Sequence, residues 1–336
     1  MPHSTPLSGL AQVTYSQLLD VLIAAELSRA PHSVNGSFSI KEVGGKRFWY
    51  FALRIDPKKV RQIYIGPDVE EIRKLVEQHK KKPSESAMVI QSLARLVTAN
   101  GGQSIGRPFL LMLRRLADAG AFRAGAVVVD THAFNAYSGM LGVRWLSSYQ
   151  TNDVDIAHAG QNMALALRQD DAADLHEALT IDKGFLPSIL ETGAAGVTYR
   201  SERDATFAVD FVTPMTNKAG PQQIKSLNVV AQPLKFIQFL LHDIQRAVVM
   251  SDAGTAQLIN VPSPARYAVH KLIVAANRPA EEKAKSRKDL NQFLALAEVL
   301  PEEEINEAIA AAADQGPGWQ SRLNRSLKAV GQLQKL

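Results

Sequence analysis

The sequence predicts an α+β protein in three parts. A small N-terminal β-hairpin and helix module comes first, then a core with a mixed sheet, then a C-terminal helical domain. Three observations lead there. Gly44-Gly45 separates two β-rich runs, a tight-hairpin signal. From Gly125 short apolar strands alternate with helical stretches, as in an α/β or α+β core. After Pro264 the pattern is helical throughout. A chain of 336 residues suits two or three domains. The expected division is the module at 1–83, a helical connector at 84–122, the core at 123–262 and the C-terminal domain at 263–336.

The elements follow in order. "TYSQLLDVLIAAELSRA" places Tyr15, Leu18, Leu19, Leu22 and Ile23 on one helical face, and Pro31 and Gly36 end it. Strands on either side of Gly44-Gly45 and a third in "KVRQIYIG" make a small sheet, with Trp49, Phe51, Leu53 and Ile55 on one face. Asp68 is a candidate cap for a helix from Val69 to about Lys82. Pro83 should break that helix, and a new one should run from Glu85 to about Thr98. "RPFLLMLRRLADAGAF" gives another, ending near Gly120. In the core, "GAVVVD" reads as a strand, "THAFNAYSGML" as a helix ending near Ser138-Gly139, and "NDVDIA" and "TFAVDFVTP" as strands. "AVVM" and "AQLINVP" are further strands, and "QDDAADLHEALTIDKGF" is an inserted helix or loop. Four helical stretches follow Pro264.

Composition narrows the function. There is no Cys, which excludes disulfides and thiolate metal sites. The N-terminus has no basic segment followed by an apolar run, and no apolar stretch reaches the roughly 18 residues of a membrane span. A cytoplasmic protein with no membrane partner is expected. Lys41 to Lys82 holds 12 Lys and Arg against 6 Asp and Glu, a local +6, so the rest of the chain carries −1 of the total +5. A basic module on a near-neutral body suits a polyanionic partner, RNA, tRNA or DNA. Lys46, Arg47, Lys58, Lys59 and Arg61 flank the hairpin, and Trp49, Tyr50 and Tyr64 could stack on bases or form the module's own core, with Trp49 expected inside. In topology and charge the module resembles the arm-type hairpins of integrases.

Asp153 and Asp155 stand among apolar residues in "NDVDIA", and Asp210 does the same in "FAVDFV". Burying a charge is costly unless something pairs with it. Carboxylates at the ends of adjacent strands could converge on Mg²⁺, which takes carboxylate and phosphate oxygens together. Two such ions clamp the attacking and leaving oxygens of a phosphoryl displacement. No His-x-x-x-His, P-loop or Ser-His-Asp order is present, so zinc-enzyme, Walker-type and triad-hydrolase readings lack support.

The stretch from Val127 to Asp155, "VVVDTHAFNAYSGMLGVRWLSSYQTNDVD", resembles the polymerase-β-like nucleotidyltransferase superfamily. Thr131 matches its small polar turn residue, Asp153 and Asp155 its carboxylate pair, and Asp210 its third carboxylate. "HKLIVAANRP" followed by "KAKSRKDLNQFL" resembles the AbiEii-type toxin nucleotidyltransferases, with Lys271, Arg278, Lys288 and Asp289 at matching positions. The resemblance covers about Gly125 to Leu300. It implies a nucleotidyltransferase core that moves a nucleoside monophosphate from an NTP to an acceptor hydroxyl on RNA, such as a tRNA end, or on protein. It further implies a two-metal Mg²⁺ site on Asp153, Asp155 and Asp210. Thr131, Lys271, Arg278 and Lys288 would receive the triphosphate, with Asp289 completing the motif. A toxin role with an antitoxin partner is also implied.

Three departures stand out. The turn's usual Gly falls at Asp130, the gap from Thr131 to Asp153 is long, and Gln292 replaces the last acid of the Lys-Asp-x-x-Asp motif. A carboxylate at Asp130 repels phosphate and lacks a glycine's backbone freedom. The rival readings are an inactive nucleotidyltransferase-fold protein that binds nucleic acid, and an interaction scaffold. Among other residues, His132 can cap, pack or act, Arg144 and Trp145 can touch a nucleotide or pack a loop, and His158 and His270 read as ordinary polar residues.

Overall fold

A computed structural model describes residues 2–28, 36–56, 59–146, 151–159, 172–181, 184–191, 193–217 and 220–333. The chain opens with β1 (Ser4–Pro6) and α1 (Gly9–Ser28). A three-stranded antiparallel sheet of β2 (Gly36–Val43), β3 (Lys46–Asp56) and β4 (Lys59–Pro67) follows. Val43 pairs with Lys46 across Gly44 and Gly45, whose φ values of 60° and 73° make the two-residue turn that glycine allows. Trp49 is buried, and its indole N–H donates to Asp68 Oδ1 at 2.8 Å. The side chains of Phe51, Leu53, Ile55, Lys59, Arg61 and Tyr64, and the whole of Lys58, lie outside the described residues.

Two expectations for the next segment fail. Asp68 does not cap the helix: Trp49 and Arg73 occupy its carboxylate, with Arg73 Nε at 2.8 Å. Nor does the chain break at Pro83, because α2 runs unbroken from Glu70 to Ala99. A proline inside a helix forfeits one hydrogen bond and crowds the preceding turn, a cost of roughly 3 kcal/mol. Good helix formers flank it, Lys80 to Lys82 before and Glu85, Ala87 and Met88 after. The helix α3 (Arg107–Asp118) then leads into the core.

The core begins with β5 (Val127–Val128), α4 (Asp130–Met140), β6 (Val143–Trp145), β7 (Asp153–Ala157) and α5 (Leu175–Thr180). It continues with β8 (Phe185–Ile189), β9 (Ala195–Ser201), β10 (Ala208–Pro214), β11 (Gln222–Ile224), β12 (Val229–Leu234) and α6 (Ile237–Leu240). Seven of these strands form one mixed sheet. β10 is its centre: β7 lies parallel on one side, while β9 (antiparallel) and then β12 (parallel) share the other. β6 pairs with β1, which accounts for part of the long gap between Thr131 and Asp153. β13 (Ile244–Met250) and β14 (Ala256–Pro262) form a separate hairpin.

Four helices complete the chain, α7 (Pro264–Asn277), α8 (Lys283–Ala297), α9 (Glu302–Ala313) and α10 (Pro317–Leu333), as the sequence pattern predicts. The fold is α+β, with a mixed sheet and C-terminal helices. Among the described residues, no helix is long and apolar enough to cross a membrane.

Alternation along the two central strands answers the question raised by the buried carboxylates. Val154, Ile156, Val209 and Phe211 are fully buried in the core. Asp153, Asp155 and Asp210 fall on the opposite face, Asp153 exposed and the other two half-buried.

The helix α4 ends at Met140, beside Ser138-Gly139 as expected, and the Tyr15 ring packs on Gly139. The Tyr15 hydroxyl also accepts from Val248 N–H on β13 at 3.0 Å. A methyl at Gly139 would lie 2.8 Å from Cδ2 of Tyr15. Gly139→Ala should therefore destabilise the protein by about 1–3 kcal/mol despite alanine's better helix propensity, as measured by urea unfolding.

Candidate active site

The strand register builds the first half of the site. Asp210 pairs with Asp155 on β7 and with Thr198 on β9, so the three form one row across the sheet. Ala208 pairs with Asp153, which puts Asp153 one pleat further along the same face. The Thr198 hydroxyl donates to Asp210 Oδ1.

Like charges leave a mark on this row. Burial first, then the charges of Asp130, Asp210 and Asp153, push the Asp155 carboxyl up to about 7, with Lys271 pulling the other way. Burial and Asp210 also raise Asp153, against Arg200. The donors are hard carboxylate oxygens, and their mutual repulsion is what a divalent cation relieves; Mg²⁺ fits this chemistry. Among the described residues, no three Asp, Glu or His side chains are already gathered tightly enough to enclose an ion.

The second half comes from three helix segments. The start of α4 supplies Asp130, Thr131 and His132, tied to β7 by Val129 N–H donating to the Asp155 carbonyl at 3.0 Å. The helix α7 supplies Lys271, with Arg278 at its end, and α8 supplies Lys288 and Asp289. All five residues matched to the phosphate end meet here. Lys271 is buried and bonded to the Asp130 carboxylate and to Asp289 Oδ1, the latter at 3.1 Å. Arg278 Nε donates to Asp289 Oδ2 at 2.6 Å, and Lys288 Nζ donates to Thr131 Oγ1 at 2.7 Å.

Asp130 occupies the glycine position differently from expectation. It adopts φ 51°, the left-handed conformation itself, which aspartate tolerates better than most residues. Burial opposes its charge, yet Lys271, Lys288 and Thr131 together outweigh burial and hold the carboxyl well below its ordinary range. Burial likewise opposes the Lys271 ammonium, and Asp130 and Asp289 overcome it and raise the group above its usual value. Lys288 is lowered, chiefly by burial.

Neighbours fix this cluster. The Tyr267 hydroxyl lies 2.9 Å from the Asp130 carbonyl and 3.1 Å from Gln292 Oε1. Gln292 is fully buried beneath it, where an acid in its place would need a cation of its own. Tyr267 and Thr198 escaped the sequence reading. Tyr267 stands one helical turn before Lys271, a spacing that could have found it. Thr198 lies on β9, a strand the sequence pattern did not reveal. Trp145 packs instead of facing the site: it stacks on Phe134 and donates to the Phe134 carbonyl at 2.9 Å, while Arg144 is exposed on β6. His158 Nε2 lies 2.9 Å from the Ala124 carbonyl, a structural contact.

Two predictions follow from the charges. Lys271→Met removes the cation shared by Asp130 and Asp289, leaving Asp289 only Arg278, and should cost about 3 kcal/mol in chemical denaturation. Asp155 keeps its proton in the folded chain to near pH 7, whereas an unfolded aspartate loses it near pH 4. The folded state therefore binds more protons in that interval, and stability should fall as pH rises through it. Thermal melts should show this slope reduced in Asp155→Asn, and Mg²⁺ should raise the melting temperature more above the interval than below it.

Residues 110–316 match a family model described as Nucleotidyltransferase. A crystal structure of an antigenic nucleotidyltransferase-like protein from Paracoccidioides brasiliensis is similar at 13% identity and a TM-score of 0.33, covering 64% of this chain and 89% of that one. No curated protein matches. The family match takes in the carboxylate strands and the helices bearing Lys271, Lys288 and Asp289, and the chain belongs to this nucleotidyltransferase family.

Proposed function

We propose that the protein transfers a nucleoside monophosphate from an NTP to an acceptor hydroxyl. The observation that carries this is the facing of two opposite arrays. Asp153, Asp155 and Asp210 share one sheet face, and Thr131, Lys271, Arg278 and Lys288 close on the start of α4 beside it. Asp153, Asp155 and Asp210 would hold Mg²⁺, which when bound supplies positive charge against the phosphates and polarises the α-phosphorus. The chain's own groups do the rest. Thr131 and Lys288 hold the terminal phosphates, and Lys271 with Arg278 offsets their charge. The acceptor oxygen bonds to the α-phosphorus, its proton passes to Asp210, and the bond to the departing pyrophosphate breaks.

The acceptor is an RNA hydroxyl in this reading. Lys46 and Arg47 are exposed on the N-terminal sheet, whose segment carries the local +6. A cytoplasmic location, where Mg²⁺ and NTP are abundant, goes with this reading, and the likeness to AbiEii-type enzymes points to a toxin or phage-defence role with an antitoxin partner.

A second reading has its own observation. Asp130 and Asp289 already neutralise Lys271, so a triphosphate must compete with carboxylates for that ammonium. A member of the family with this pairing locked in place would bind nucleic acid and catalyse nothing.

Labelled NTPs with total cellular RNA and Mg²⁺ separate the two. Pyrophosphate release with label in RNA is the expected result, and Asp155→Asn should lower it by about a hundredfold or more without unfolding the chain. Asp130→Gly should lower the KM for NTP by freeing Lys271. No incorporation by either the native chain or Asp130→Gly overturns the transfer reading, and salt-dependent RNA binding then favours the binding reading over a scaffold. RNA affinity of the full chain should fall with salt by a slope near −0.7 per phosphate contact, and Lys46→Ala with Arg47→Ala should make that slope shallower.

A further inference from the structure

His132 is a buried imidazole with nothing to bond. It is 4% exposed, and neither ring nitrogen has a hydrogen-bond partner. Buried polar groups without partners are costly, and native chains keep few of them. Packing accounts for the ring's position only in part: it rests on Phe109 of α3, centroids 4.8 Å apart, which satisfies neither nitrogen.

The ring belongs to the first turn of α4, an 11-residue helix. Backbone N–H groups of a first turn have no intrahelical acceptors, and the helix dipole is positive there. Thr131, the preceding residue, has its hydroxyl held by Lys288. The charged groups the ring senses are Asp130, from its own turn, and Lys288, from α8. Burial foremost, with Lys288 in the same direction, lowers the imidazole to about 4 against the pull of Asp130, so it is neutral at physiological pH. An anion arriving at this turn brings the acceptor the ring lacks and a charge that favours imidazolium.

We propose that His132 is a substrate-contacting residue that donates a ring N–H to the pyrophosphate moiety of a nucleoside triphosphate and takes a proton from solvent as that moiety enters. This rests on the nucleotidyl-transfer reading above and adds a residue which neither the carboxylate row nor the Lys271 cluster requires. The ring is more basic with the anion present than without it. Binding therefore takes up a proton, and affinity rises as pH falls between the bound and free values.

The test titrates inorganic pyrophosphate with Mg²⁺ into the full chain near about pH 6, where a bound imidazole of ordinary basicity would be largely protonated. Calorimetry gives the affinity, and nitrogen NMR reads the His132 ring, identified by its loss in His132→Gln. The expected result is a shift of the ring from the neutral to the doubly protonated form on adding pyrophosphate. Affinity should drop about tenfold or more in His132→Gln, the scale of one hydrogen bond to a charged group. Equal binding by both chains with an unmoved ring signal overturns the proposal and leaves nucleotidyl transfer intact. Absence of pyrophosphate binding by the native chain overturns it too, and incorporation from labelled NTPs then judges the transfer reading by itself. Should His132→Gln fail to fold, His132→Asn identifies the ring signal, and failing both, sequential resonance assignment of the native chain does so and keeps the measurement decisive.

Discussion

A buried ammonium cannot stand alone, and the Lys271 side chain organises the site around that fact. Its Nζ reaches Asp130 at the start of α4 and Asp289 in α8, so one cation ties the sheet core to the C-terminal helices. Each partner is tied in turn. The Asp130 carbonyl lies within reach of the Tyr267 hydroxyl, and Asp289 also accepts from Arg278, which reaches on to Glu282 at 2.8 Å. A network of this kind contributes little net stability over a well-packed apolar cluster, yet removing one member strands the others. Its worth is geometric: it sets α7 and α8 over the start of α4, where Thr131 and Lys288 meet.

The same charges reach the carboxylate row. Asp130 is the strongest charged neighbour raising Asp155, ahead of Asp210 and Asp153. A cation at the row would therefore relieve Asp130, whereas a phosphate at the helix end would repel it and compete with it for Lys271. The two halves of the site are coupled through Asp130, where a glycine would have left them independent.

Much of this was legible in the sequence because it depends on local pattern. Period-two alternation put Asp153, Asp155 and Asp210 on one face, and the helices from Pro264 onward were clear from their apolar spacing. The Gly44-Gly45 turn was visible because two successive left-handed residues favour glycine. The hidden parts depend on distant partners. β8, β11 and β12 are short or carry proline (Pro187, Pro233), and β9 opens on Ala195-Gly196 with few apolar residues, so their pattern is weak, and only pairing with β10 and its neighbours defines them. Asp68 had a capping residue's identity, but Trp49 and Arg73, from elsewhere in the module, took its oxygens. Asp130 read as a defect in a glycine turn, and the Lys271 that gives it a purpose lies 141 residues away.

The unbroken α2 has a mechanical consequence. Thirty residues at 1.5 Å each make a rod about 45 Å long. One end packs against α1 and the β14 side of the core, and the other begins at the basic sheet. By the length of the arm alone, a tilt of a few degrees where such a rod meets the core would correspond to a sweep of roughly 3–4 Å at the sheet. Small adjustments at the core would be magnified at the far sheet, as a load is moved by a crane's boom.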